Sequence, residues 1–381
     1  YAALLNAAMG RYFDFNDVYD GGTSVCHPSG HVPALLAVAE AEGRSGRELL
    51  EAVVLTYEIQ PRLVDSGAMW SNGFDYVTWG GHAAAAAVGK LMGLSADEIA
   101  DAIGMVATSS NGLLIARQGD VSMWKGVAEP FAIHNAVHAC RLAREGLTGP
   151  REVYEGPGGV FEAIAGGPIE IDGFGGRNDE PYKVLESSIK PHACAYVTQS
   201  AMTAARALVE EHGIDPASIE SIHVRTFERA MHSATPEKWS TDLNHATADH
   251  SMPYTVAFAI LYGDVTPESF REERLRDGQL HDLMAAVSVE EDDDLTDRGR
   301  RNPGYSPSHV TIETPAGTVE RLVDYPLGHP DNPMTDAQLE AKARDMIGDR
   351  LPREAVDRLF ETCYRLDDLD RVDDLTAALT V

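Results

Sequence analysis

Residues 80–92 read Gly-Gly-His-Ala-Ala-Ala-Ala-Ala-Val-Gly-Lys-Leu-Met, and this run decides the fold class. Alanine gives up no side-chain freedom in a helix, so this alanine-rich run reads as a helix. Working outward, residues 33–42, 46–58, 95–107 and 126–145 carry apolar residues three and four apart, interrupted by Gly or Pro and nowhere alternating with the period of a strand. Ser95 followed by Glu98 is a capping-box pattern. The stretch 35–145 is therefore helix-bundle material.

Further on, residues 146–176 are rich in Gly and Pro and read as loop with short turns, too apolar for a disordered linker. After Lys190 the character changes. Residues 193–212 are an amphipathic helix, 219–226 (IESIHVRT) alternate like a strand, 251–262 form an apolar helix, and 309–324 hold two strand-like runs around Pro315-Ala316-Gly317. Residues 335–347, with Thr335 and Gln338 as a second capping box, and 352–366 return to helix. The expected fold class is mainly α with a smaller α+β domain, the C-terminal helices rejoining the first domain. The acidic run Glu290 to Asp294 is expected to be a solvated loop.

The chain of 381 residues carries 31 Lys and Arg against 60 Asp and Glu, a formal charge of −29, which argues against nucleic acid as a partner. With 44% hydrophobic residues and no apolar run near the roughly 18 residues of a membrane span, a soluble globular protein is expected. Six lysines (Lys90, Lys125, Lys183, Lys190, Lys238 and Lys342) against this acidic excess suggest a salt-adapted surface. Cys26, Cys140, Cys194 and Cys363 form no CxxC pair, which fits a reducing cytoplasm and leaves zinc and iron-sulfur readings weak. Because the chain opens on Tyr1 in a segment that already looks helical, an N-terminal portion, with any targeting segment, is expected to be missing. There is no P-loop lysine motif, dinucleotide fingerprint, HExxH or GxSxG, so nucleotide, zinc-peptidase and serine-hydrolase chemistry fall away.

Four segments concentrate groups that could do chemistry. In FDFNDVYDGGTSVCHPSGH (residues 13–31), Asp14, Asp17 and Asp20 stand near Cys26, His27 and His31, a mixture of carboxylates and imidazoles suited to acid/base work; local backbone bonding explains them equally well. In Met123-Trp124-Lys125-Gly126, preceded by Arg117, a lysine sits at a helix start, an awkward place because the positive helix end favours anions; lysine and helix together would make an anion site, while Lys125 taken alone reads as a surface lysine. Lys190-Pro191-His192-Ala193 introduces a helix at the change of composition, a place where pockets form, although proline at a helix start needs no function to explain it. Ala248-Asp249-His250-Ser251-Met252-Pro253-Tyr254 opens another helix, with Tyr254 about one turn after His250; such a tyrosine either donates a proton or packs in the core.

These segments, in this order, resemble the MmgE/PrpD family, which contains 2-methylcitrate dehydratases and cis-aconitate decarboxylases. The resemblance runs through the DFND loop with HPSG, FDYVTWGGHAAAA, SMWKGVAEPFAIHNA, LAREGLTGP, KPHACAYVTQSAM, ATADHSMPYTVAFAILYGDVT and YPLGHPDNPMT. It implies an all-helical domain of residues 1–188 plus 332–381, an α+β lid of residues 189–331, an active site between them, a homodimer, and chemistry without metal or organic cofactor. It assigns Asp14, His27, Lys125, Lys190 and Tyr254 to catalysis. Asp17, Arg117, His192 and His250, in the same segments, are expected to contact a small polycarboxylate. Asp75 and Tyr76 occupy the region where family members often supply a further histidine, and Val18 stands where decarboxylases have threonine. The ATADHSMPY segment is closer to the dehydratase-like members. The expected activity is dehydration of 2-methylcitrate in the cytoplasm, against the alternatives of decarboxylation of cis-aconitate, polycarboxylate epimerisation or isomerisation, and catalytically silent binding of organic anions.

Overall fold

A computed structural model describes residues 1–22, 24–66, 69–118, 121–171, 173–176, 180–302 and 304–379. Six helices build the N-terminal bundle: α1 (Ala2–Arg11), α2 (Val32–Ala41), α3 (Gly46–Asp65), α4 (Val77–Leu91), α5 (Ala96–Ser109) and α6 (Trp124–Arg144). The alanine-rich α4 is its axis. Ala83, Ala84, Ala85, Ala87 and Val88 are wholly buried among α3, α5 and α6. The approach is close enough to demand glycine, since a Cβ at Gly89 would lie 2.7 Å from Ile99 Cγ1. Ser95 and Glu98 form the expected capping box, and Ser45 with Glu48 forms another at the start of α3.

The loop between α1 and α2 contains strand that alternation did not reveal. β1 (Asp17–Asp20) pairs antiparallel with β2 (Val25–Cys26) on one side and with β3 (Ser188–Ile189) on the other. The register Asp17 to Ile189 and Val18 to Ser188 stitches the N-terminal loop to the residues just before Lys190.

The second region is α+β, as expected. It contains α7 (Gln199–His212), β4 (Ser221–Thr226), α8 (His245–Ala248), α9 (Met252–Tyr262), α10 (Glu272–Leu275), α11 (Gly278–Ala285), β5 (Val287–Glu291), α12 (Asp293–Arg301), β6 (Ser308–Thr314) and β7 (Gly317–Val323). The sheet order is β5-β4-β6-β7, with β4 parallel to β5 and the other pairs antiparallel. Ile222 and Val224 of β4 and Val310 and Ile312 of β6 face a core shared with α7, α9 and α11. Two expectations are corrected. The helix placed at residue 193 begins at Gln199, because Ala193 N donates to Val265 O and Ala195 N to Asp249 O, holding the preceding residues in turns. The acidic run is not a loop: Glu290 and Glu291 end β5, and Asp292 caps α12 through the amides of Asp294 and Leu295, where acidic side chains offset the positive helix end.

The chain ends in α13 (Asp336–Ile347), α14 (Arg353–Tyr364) and α15 (Asp373–Ala378). Gly46 N donates to Leu369 O, Val372 N donates to Arg44 O, and Val372 is buried in the same core as α4. Lys342 of α13 donates to the carbonyls of Phe15 and Lys190, 2.7 Å from each, and so ties the last helices to the end of the small sheet where the chain enters β1 and leaves β3. Among the described residues no helix is long and apolar enough to cross a membrane.

Candidate active site

The small sheet brings the first and third chemical segments together. With β1 paired to β3, Lys190 follows directly, and its Nζ lies 2.9 Å from Asp14 Oδ2 and donates to the Asp14 carbonyl at 3.0 Å. Arg11, at the end of α1, donates to Asp14 Oδ1 at 2.8 Å. Asp14 has a φ of 49°, the one positive value outside glycine among the described residues, a conformation aspartate tolerates at modest cost. Both its carbonyl and its carboxylate are held by cations. Burial works against the Asp14 charge, but Lys190, Arg11 and Lys125 outweigh it and keep the carboxyl well below its ordinary range.

The turn from β1 into β2 returns the chain so that His27 Nδ1 lies 2.6 Å from the Asp17 carbonyl oxygen. A carbonyl only accepts, so Nδ1 carries the hydrogen and the lone pair of the neutral ring is on Nε2. Burial, reinforced by Arg11 and Lys190, pushes the His27 pKa well below its usual value. The ring is neutral at pH 7.

The second and fourth segments meet across the joint between the two regions. Lys125, at the start of α6, reaches the two carboxylate oxygens of Asp249 at 2.9 and 2.8 Å, which resolves the awkwardness of a lysine at a positive helix end. His250 Nδ1 stands 2.6 Å from Asp249 Oδ1 and 3.1 Å from Lys125 Nζ, and its Nε2 is 3.9 Å from Asp14 Oδ2. Burial and then Lys125 depress the His250 pKa, leaving a second neutral imidazole.

Arg117 closes the circuit. Its Nε donates to Asp75 Oδ2 at 2.7 Å, Nη1 to the Lys125 carbonyl at 3.1 Å, and Nη2 to the Tyr76 hydroxyl at 3.1 Å. Arg11 Nη2 donates to the same hydroxyl at 2.9 Å, and Arg11 Nε faces Glu129 at 3.4 Å. Three buried cations, Arg11, Lys125 and Lys190, and the partly buried Arg117 thus stand against Asp14, Asp75, Asp249 and Glu129; burial raises the Glu129 pKa. A cavity of about 470 Å³ opens on this network at Lys125 and Asp249, with Tyr12, Met123 and His245 among its walls.

Three of the expected residues stand apart from this cluster or play another part in it. The Tyr254 hydroxyl donates to the Ser269 carbonyl at 2.5 Å and its ring stacks on Phe270 and Phe258, so it is a fully buried core side chain. Asp17 is consumed by the loop, accepting from Ser29 Oγ at 2.5 Å and Tyr57 Oη at 2.7 Å. His192 lines a different cavity with Arg206 and Lys342, and burial pushes its pKa down to about 4. Conversely, Arg11, Tyr76, Asp75, Asp249 and Glu129 belong to the network without having been singled out for a role. Asp249 had a local signal in its neighbour His250, and Tyr76 in its place beside Asp75; Arg11 had none.

Fold and site together define a protein of two regions, a helical bundle and an α+β region, with a buried charged site at their joint. The chain belongs to the MmgE/PrpD family: residues 1–172 match the MmgE/PrpD N-terminal domain and residues 192–366 the MmgE/PrpD C-terminal domain. It is similar to the 2-methylcitrate dehydratase-like protein oryR of Aspergillus oryzae, at 29% identity over 377 residues covering 93% of this chain and 75% of that one. It is also similar to the 2-methylcitrate dehydratase of Cupriavidus necator, at 28% identity covering 86% and 70% of the two chains. The cis-aconitate decarboxylase-like protein oryM of Aspergillus oryzae is 25% identical, covering 100% of this chain and 82% of that one.

The depressed His27 pKa has a measurable consequence. Below pH 6.5 the unfolded chain takes up a proton at this ring that the folded chain refuses, so its contribution to stability is full above pH 6.5 and is lost as pH falls. Urea unfolding at pH 6.5 and 5.0 should therefore show a smaller acid loss in His27→Asn than in the unsubstituted protein, by up to about 2 kcal/mol. An equal or larger loss in the variant would mean that His27 is not held neutral.

Proposed function

We propose that this chain is a lyase that dehydrates a citrate-like tricarboxylate, with 2-methylcitrate as substrate and 2-methyl-cis-aconitate as product. One observation carries the reading: Arg11, Arg117, Lys125 and Lys190, drawn from four separate segments, converge with two neutral imidazoles at a buried joint. Removing a proton beside a carboxylate builds negative charge on that carboxylate, and cations fixed there bind the transition state more tightly than the ground state. The His27 Nε2 lone pair is the base. A substrate carboxylate enters from the 470 Å³ cavity and takes the place of Asp249 on Lys125, which requires the lid to shift. In a chain of charge −29 such local cations are needed to draw in a trianion at all. The relatives named 2-methylcitrate dehydratase support this chemistry, and the decarboxylase-like relative keeps cis-aconitate in view as the second candidate substrate.

We further infer that the chain works in the cytoplasm, in keeping with its four unpaired cysteines, and as a homodimer. Exposed aromatic side chains on α6 support the dimer: Phe131 stands 5.6 Å from Trp124 along its outer side.

Proton NMR of the protein with 2-methylcitrate, citrate and cis-aconitate, each offered with and without a chelator, tests the reaction. Chelator-insensitive formation of an unsaturated acid from 2-methylcitrate is expected. Itaconate with carbon dioxide from cis-aconitate would replace dehydration by decarboxylation, and no turnover of any of the three would sink the substrate assignment. Sedimentation equilibrium of the same sample should return twice the monomer mass; a monomer would remove the dimer.

A further inference from the structure

Tyr76 sits at the start of α4, between the two guanidiniums of the site and nearly free of solvent contact. A phenol oxygen has two lone pairs and one hydrogen. Here Arg11 Nη2 and Arg117 Nη2 both donate to that oxygen, at 2.9 and 3.1 Å, so its acceptor capacity is filled by cations. The hydroxyl hydrogen meets no acceptor among the described residues. Buried tyrosine hydroxyls elsewhere in this chain do find one: Tyr254 donates to the Ser269 carbonyl and Tyr57 to the Asp17 carboxylate. A buried donor left without an acceptor is costly unless a ligand or water supplies one, so the exception marks a position built to meet something from outside the chain.

The surroundings say what that is. The His27 ring stands edge-on to the Tyr76 ring at a centroid distance of 5.3 Å, so the neutral base and the phenol belong to one patch of the site. The Arg117 guanidinium also lies over the Tyr76 ring at 5.0 Å while its Nη1 holds the Lys125 carbonyl. The hydroxyl is thus fixed from two sides and cannot turn away without breaking charge-assisted bonds. We propose that Tyr76 is the proton donor to the departing hydroxyl group of the substrate, a role that rests on the dehydratase reading above. His27 Nε2 takes the proton from the substrate carbon, and the C–H electron pair becomes the new C=C bond. The C–O bond breaks with its electrons on oxygen, which takes the Tyr76 proton and leaves as water. The phenolate that remains is held by Arg11 and Arg117 until the proton on His27 returns to it through solvent after product departs. Burial raises the Tyr76 pKa above its ordinary value, against the pull of the two arginines, yet hydroxide is more basic still and takes the proton.

Tyr76→Phe tests the assignment, because it removes the hydroxyl and keeps the ring against His27. Two eliminations are measured for each protein: water from 2-methylcitrate, and fluoride from the analogue with fluorine in place of the departing hydroxyl. Fluoride leaves as an anion and needs no proton donor. The variant is expected to lose about 100-fold in kcat for water, with KM changed by less than about threefold, and to eliminate fluoride within about threefold of the unsubstituted protein. Loss of both eliminations alike would make Tyr76 a structural residue, and near-normal dehydration by the variant would overturn the donor role while leaving the dehydratase reading intact. If the unsubstituted protein dehydrates none of the acids, the functional reading fails and takes this role with it.

Discussion

Removing an ammonium or a carboxylate from water costs several kcal/mol per ion, so a buried charged joint closes only if each ion finds a partner. That constraint organises this molecule. Lys190 is buried because Asp14 receives it, Lys125 because Asp249 does, and Arg117 because Asp75 does. The partners come from different parts of the chain, and the backbone has to be arranged so that they meet. The three-stranded sheet does this for Asp14 and Lys190, the unusual backbone of Asp14 turns its carbonyl to the same ammonium, and Lys342 fastens the arrangement from the C-terminal side. The close packing of α4 against its neighbours supplies a stiff platform for Tyr76 at one end.

Pairing also changes how the site has to be understood. A cluster of free cations would suit a trianion electrostatically but could not stay buried when empty. Here each cation faces a carboxylate, so the resting site is close to neutral and an anionic ligand would have to compete with side chains for the cations. Asp249 is the partner best placed to yield, since it comes from the lid and borders the cavity. The α+β region contributes Asp249 and His250 and the bundle contributes Lys125, so a ligand that displaced Asp249 would act on a contact between the two regions.

The bundle was legible because its signal is local. The alanine run, the three-four spacing and the Ser95–Glu98 capping box each act within one or two turns. The same holds for β4, whose alternation matches one buried and one open face. β1, β2 and β3 were not legible: they are two to four residues long, and β1 is buried on both faces, so nothing alternates. At the site, Asp14, His27, Lys125, Lys190 and Arg117 stood out as ionisable groups in the chemical segments. Their pairings did not, because Lys125 and Asp249 are 124 positions apart and Lys190 and Asp14 176, and composition holds no record of which carboxylate meets which cation. Tyr254 shows the reverse failure. Its place after His250 suggested function, and only the Ser269 carbonyl, fifteen positions away, shows the hydroxyl already satisfied.

Paired burial, more than the presence of the charges, holds the joint together, and a double-mutant cycle on Lys125 and Asp249 measures it. Unfolding free energies are measured for the unsubstituted protein, Lys125→Met, Asp249→Leu and the combination. Each single change strands a buried charge and should cost about 3–5 kcal/mol, while the double variant should recover a large part of that loss, giving a coupling above about 2 kcal/mol. A coupling under about 0.5 kcal/mol, with the two losses simply adding, would show that the pair does not carry the joint.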